Sequence, residues 1–257
     1  MRLLVIAPHL APDTAPTGVV VSALVAEMTA VGHQVHVVTS LPWYEKHAID
    51  PDWKSKGWRQ QGEFAGATVT RCYPFPAARS NLLGRALGFI GFTALATLTS
   101  VFTRKRFDAV LAVSPPLTLG LAGWIAARRH RCPLIFNIQD VFPDVAIEVG
   151  ALTSGPAIRF FKTLERFCYR RAQAVTVLSD DLAANVTAKV GPSGPPVVVI
   201  PNFVDTTAIA PQDRATNYRT EHELGERTVV MYAGNLGHSQ SLNLMVEAAR
   251  RHQNRTT

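Results

Sequence analysis

Residues 133–150 read PLIFNIQDVFPDVAIEVG, and their reading decides the class of fold. Leu134–Ile138 form a short, nearly uniform apolar run that stops at the polar pair Gln139–Asp140, just before Pro143. A strand of that composition is buried on both faces, as in a parallel sheet covered by helices. Its abrupt polar end marks the carboxyl edge, where such sheets bind ligands.

The same pattern recurs on both sides. RLLVIA (2–7), QVHVVTS (34–40), TVTRCY (68–73), DAVLAVS (108–114), AVTVLS (174–179) and PVVVIPN (196–202) read as strands. Helical patterns lie between them: 18–32, closed by Gly32; Leu82–Thr103; Leu117–His130; and Pro156–Ala172, with Ser154 and Pro156 as start signals. Ser179 is placed to cap a helix over 180–190. Leu41–Gly66, polar and rich in Trp and Pro, reads as a long loop. The alternation predicts an α/β fold with a doubly wound parallel sheet. Its ligand loops would be 8–18, 41–66, 114–116, 139–145 and 201–205.

The 257 residues, 47% hydrophobic and 18% charged, suit one large α/β domain, or one domain and part of another. Cys72, Cys132 and Cys168 read as reduced thiols, with no disulfide frame and no metal-ligand spacing. The apolar run at the N-terminus is too short for a signal-peptide core. The formal charge is +7, and residues 101–175 hold eleven Lys/Arg against five Asp/Glu. That excess fits an anionic surface or ligand as well as a solvated face. Arg159, Lys162, Arg166 and Arg170 make one helical stripe. Leu82–Thr103 is about as long as a membrane span, but Arg85 interrupts it, and Arg104, Lys105 and Arg106 follow it. The reading ranks a covering helix partly docked on a bilayer first, an internal helix second and a true span last. No base-stacking motif accompanies the charge, so anionic lipid is favoured over nucleic acid.

Gln139 and Asp140 are placed to bind sugar hydroxyls or orient a reacting group; the alternative is that Asp140 caps a turn beside Pro143. Asp144 and Glu148 share a helical spacing, and surface acids are the commoner reading. Gly18 near a helix start allows an anion to approach free N–H groups. No G-x-G-x-x-G, P-loop or G-x-S-x-G motif occurs.

Taken together, QDVFPDVAIEVGAL, LERFCYRRAQAVTVLSDDLAANV, VIPNFVD and VVMYAGNLGHSQSL, in that order, resemble the retaining glycosyltransferases of family 4, nearest the bacterial branch that builds capsular and exopolysaccharide units. The resemblance implies the GT-B fold, two Rossmann-like halves facing a cleft, with the acceptor on the first and the nucleotide-sugar on the second. By position it assigns Gln139 and Asp140 to the reacting sugar, and Thr17, Gly18, Asn235 and Gln240 to the donor phosphates. It implies an acceptor-side domain over 1–207, a linker over 208–227 and the first β-α unit of a donor domain over 228–257. The family's acidic pair, two glutamates with seven residues between them, does not occur. The chain is therefore expected to be incomplete and inactive alone, with weak nucleotide-sugar affinity. The expected partners are a lipid-linked or glycan acceptor and the anionic inner face of the cell membrane, contacted through Arg85, Arg104, Lys105, Arg106, Arg159, Lys162 and Arg166, with no cofactor, metal or nucleic acid. The competing expectations are a non-catalytic binding module and a nucleotide-sugar epimerase of GT-B-like fold.

Overall fold

The computed structural model describes residues 1–54, 57–77, 82–234 and 241–253. The strands are β1 (Arg2–Ile6), β2 (Gln34–Ser40), β3 (Arg59–Phe64), β4 (Ala67–Cys72), β5 (Ala109–Ser114), β6 (Leu134–Ile138), β7 (Ala174–Val177) and β8 (Val197–Val199). They form one sheet in the order β3-β4-β2-β1-β5-β6-β7-β8. All neighbours are parallel except β3 and β4. The winding reverses between β1 and β5, which opens a crevice at their carboxyl ends.

The helices of this sheet are α1 (Pro16–Ala30), α2 (Leu82–Phe102), α3 (Thr118–His130), α4 (Asp144–Glu148), α5 (Gly155–Arg171) and α6 (Asp180–Val190). Alternating side chains along each strand divide the core in two. Val5, Val37 and Val69 pack with Val21 and Val25 of α1 on one face. Leu4, Ile6, Ala112, Phe136 and Ile138 pack with residues of α2, α3, α5 and α6 on the other. Helix α3 lies directly on the sheet because Gly120 and Gly123 leave room for it: a Cβ would come within 2.7 Å of the Phe136 ring and of Ala112 Cβ. Ser179 caps α6 as expected, accepting from Leu182 N at 3.3 Å. Burial accounts for the apolar strands; each large side chain removed from water contributes roughly 1.5–3 kcal/mol.

The structure corrects the long-loop reading of 41–66. Residues 59–64 form β3, an antiparallel edge strand joined to β4 by the two-residue turn Ala65–Gly66, both at positive φ (47° and 80°). Its side chains are mostly exposed, so the strand rests on backbone pairing and carries no apolar alternation to reveal it.

Helix α2 is half-core, half-surface. Phe92 and Ala96 are buried, and Ser100 O accepts a hydrogen bond from His130 Nε2 at 2.9 Å. Leu87, Ile90, Leu98 and Phe102 are more than half exposed. Gly84–Phe102 meets the length and composition of a membrane span, yet one of its faces is spent on the sheet.

Contacts divide the chain into a unit of 1–203 and a unit of 204–257. In the second unit, Asp205 Oδ1 closes a turn on Thr207 N at 2.8 Å, and two helices follow, α7 (Asn217–Glu221) and α8 (Asn243–Gln253). Residues 228–234, within the stretch 228–257 expected to open with a strand, adopt no strand conformation. Val230 and Met231 are 82% and 66% exposed.

Candidate functional site

The carboxyl edge carries two clusters of polar side chains. The first is built on the loop after β1. Asp13 is nearly buried; its Oδ2 accepts from His9 Nδ1 at 2.7 Å, and its Oδ1 accepts from Tyr44 N at 3.3 Å. Trp43 and Tyr44, from the loop after β2, stand against the imidazole at 5.8 and 5.5 Å. Because Nδ1 donates to the carboxylate, the neutral ring leaves Nε2 as an acceptor. Among the described residues Nε2 has no hydrogen-bond partner.

Arg71, from the end of β4, underlies this loop. Its guanidinium donates to the carbonyls of Leu10 (3.4 Å), Ser40 (3.3 Å) and Ala11 and lies 5.0 Å from the Trp53 ring. Burial lowers its pKa to about 10, and nearby Asp13 opposes the shift. It remains a fixed positive charge beneath the crevice at neutral pH. Gly18, in the first turn of α1, is buried against the same loop: a Cβ there would meet His9 Cβ at 3.0 Å and Asp13 O at 3.3 Å. Glycine therefore lets the helix start reach the His9 loop, and Thr17 beside it is partly exposed.

The second cluster is a chain of amides. Asn202 Nδ2 donates to Gln139 Oε1 at 2.9 Å, Gln139 Nε2 to Asn137 Oδ1 at 2.6 Å, and Asn137 Nδ2 to Thr176 Oγ1 at 2.9 Å. Gln139 thus uses both ends of its amide within the fold. Asp140 is exposed and does not cap α4, whose N-cap residue is Pro143.

Asp144 does not form a free acid pair with Glu148. Lys189 bridges it, at 2.7 Å, to the buried Glu165, at 2.6 Å. Tyr169 OH also donates to Glu165 at 3.0 Å. Burial pushes the Glu165 carboxyl up, and Lys189 pulls it back. Burial acts in the same sense on Asp144, but hydrogen bonds from Lys189 and Asn185 hold it below the usual carboxylate range. Among the described residues no three His, Cys, Asp or Glu side chains are grouped to hold a metal ion.

The expected membrane contacts do not form one patch. Arg85 opens α2, and Arg159 and Lys162 lie in the first two turns of α5, toward the carboxyl edge; Arg166 lies further along α5. Arg104, Lys105 and Arg106 follow α2 at the opposite edge, about 28 Å away at the rise of a helix. Asn235 and Gln240 lie outside the described residues. Sequence reading missed His9, Asp13 and Arg71. The only local signal was a histidine and an aspartate four apart in the first carboxyl-edge loop; the partners of Arg71 lie 31 to 61 residues away.

Residues 17–202 match the family described as "Glycosyl transferase 4-like domain". The chain is 24% identical over 260 residues to a putative colanic acid biosynthesis glycosyl transferase, WcaI, of Escherichia coli (strain K12), covering 98% of this chain and 63% of that protein. Among solved structures it resembles a sucrose-phosphate synthase from Thermosynechococcus elongatus, with a TM-score of 0.70, 14% identity, and coverage of 98% of this chain and 60% of the other. It also resembles the Anabaena protein HepE in complex with UDP-glucose, with a TM-score of 0.60, 13% identity, and coverage of 98% and 57%. The chain thus spans less than two thirds of the length of these relatives.

Proposed function

The chain belongs to the glycosyl transferase 4-like family, and on that premise we propose that residues 1–207 form the acceptor side of a retaining transferase. It would move a sugar from a nucleotide-sugar to a lipid-linked or glycan acceptor of the cell envelope, with 208–227 as a linker and 228–257 opening the donor side. The observation that carries this reading is the polar crevice at the switch point, with His9 Nε2 available above the fixed charge of Arg71. The colanic acid role in the name of the Escherichia coli relative supports a polysaccharide acceptor.

In this reading the acceptor sugar rests on Trp43 and Tyr44, and one of its hydroxyls donates to His9 Nε2. Asp140 and Gln139 face the transferred sugar. The N–H groups around Thr17 and Gly18 face the donor phosphates. The departing phosphate takes the acceptor proton, and Arg71 and the α1 dipole stabilise the charge that develops there. The protein works at the inner face of the membrane, held peripherally by its cationic residues and the outer stripe of α2.

Saturation-transfer NMR on the 257-residue chain tests the acceptor assignment. Alkyl glycosides should show ring-proton saturation that His9→Ala abolishes. UDP-, GDP- and TDP-sugars should bind at roughly millimolar or weaker. Micromolar binding of a nucleotide-sugar, with no effect from any glycoside, would reverse the assignment of this half.

A further inference from the structure

The edge of the sheet opposite the crevice holds a second polar feature. The ends of α3 and α5 and the start of β6 enclose a groove of about 740 Å³, lined by Arg128, Arg131, Arg170, Arg171 and Trp124. No acidic side chain lines it. Among the described residues none of the four arginines forms an ion pair.

The C-terminal dipoles of α3, α5 and α6 attract cations to this edge. That accounts for part of the arrangement: Arg170 Nη2 donates to Val190 O, the last carbonyl of α6, at 3.0 Å. It does not account for Arg128 and Arg171. Their guanidiniums lie over the Trp124 ring at 5.8 and 5.6 Å, and Arg171 also lies 5.1 Å from the Phe167 ring. Stacking fixes the planes and leaves the N–H edges available. Arg131 adopts a left-handed conformation, φ 58°, where glycine is the easier residue.

The basic segment after α2 adjoins this groove, because Arg106 Nη1 donates to Arg129 O at 3.0 Å. Beside it, Phe102 and Leu98 are 75% and 51% exposed. Fixed guanidinium forks suit a phosphate group. An indole at the rim and apolar side chains next to a cationic rim suit the water–lipid boundary.

We infer that this groove binds the phosphate of an anionic phospholipid headgroup and orients the protein on the bilayer by the amino edge of its sheet. The inference rests on the membrane reading above and names the surface that makes the contact. It places the docking residues at Arg128, Arg131 and Arg171; of the α5 stripe, Arg170 lines the groove and Arg159, Lys162 and Arg166 do not.

Co-sedimentation of the 257-residue chain with phosphatidylcholine vesicles, with and without phosphatidylglycerol, tests both levels. The native chain should bind only the anionic vesicles. Arg128→Glu with Arg171→Glu should weaken that binding about tenfold or more, and Arg159→Glu with Lys162→Glu should weaken it far less. The first pair removes packing on Trp124, so Arg131→Gly is the companion variant. It relieves the left-handed backbone, should fold at least as well by circular dichroism, and should still lose vesicle affinity several-fold. If the native chain ignores anionic vesicles, the membrane reading itself fails. If it binds them and the groove variants bind equally well, only the groove assignment is overturned. Micromolar binding of glycerol 3-phosphate that displaces the vesicles would make this a soluble-phosphate site and overturn the lipid assignment.

Discussion

Asp13 holds His9 by a 2.7 Å hydrogen bond to Nδ1, and the pair is nearly sealed, with side-chain exposures of 2% and 11%. The second oxygen of Asp13 binds Tyr44 N, so one carboxylate joins the loops after β1 and β2. The imidazole is therefore fixed both in orientation and in tautomer. In the neutral ring, ¹⁵N NMR should show a protonated Nδ1 and a bare Nε2. Asp13→Asn should shift the population toward the other tautomer and broaden the Trp43 and Tyr44 resonances. An unchanged tautomer in the variant would mean that the carboxylate does not set it.

Gln139 and Asp140 are adjacent but should respond differently. Gln139→Ala removes the donor to the half-buried Asn137 Oδ1 and the acceptor of the exposed Asn202 Nδ2, while Asn137 keeps its bond to Thr176. The cost should be about 1 kcal/mol, a fall in Tm of roughly 2–4 °C for a unit of this size. Asp140→Asn should leave Tm within about 1 °C, because the residue is exposed and caps nothing. In a form carrying a complete donor side, the same change should cut turnover strongly. A large loss of stability at Asp140 with normal turnover would assign it a structural role.

His36 makes acid stability testable. Burial lowers its pKa from 6.5 to about 4, and Lys105 and Arg59 add to the effect. The ring sits in β2 with Nε2 2.9 Å from Thr70 Oγ1. The unfolded chain takes up this proton near pH 6.5 and the folded one only near 4. The stabilisation is therefore complete above pH 6.5 and is lost as pH falls between these values, on the order of 3 kcal/mol. His130, lowered mainly by burial, acts in the same direction. Urea unfolding at several pH values should give a shallower acid slope for His36→Leu than for the native chain. Parallel slopes would exclude His36 as a source.

The buried Glu165 depends on Lys189. Lys189→Met should destabilise the protein by roughly 3 kcal/mol, since it leaves a buried carboxylate without its cation. Adding Glu165→Gln should recover much of that loss, because the uncompensated charge is then gone. Chemical denaturation of the two single variants and the double variant would measure the coupling, and additive losses would show that the pair is not coupled.

The order of strands and helices was legible in the sequence because it depends on local periodicity. PLIFNI and its counterparts are uniformly apolar, as doubly covered strands are, and their polar ends marked the carboxyl edge of the sheet. Gln139 was read at that edge, and the structure places it there in a chain of amides. Strand β3 was not, since RQQGEF is stabilised by backbone pairing at an exposed edge and its side chains carry no pattern. The tertiary structure alone decided the electrostatics. Arg71 lies in a strand whose sequence says only that it carries a charge; its burial follows from the carbonyl of Ser40, set beside it by the parallel register of β2 and β4, and that of Leu10, brought over it by the loop after β1. Glu165 reads as one more polar position on an amphipathic helix until α6 brings Lys189 against it. The eleven cations of 101–175 read along the chain as one basic region. Helices that run antiparallel to the strands carry them to opposite edges of the sheet, because a helix fixes how far apart its ends must lie.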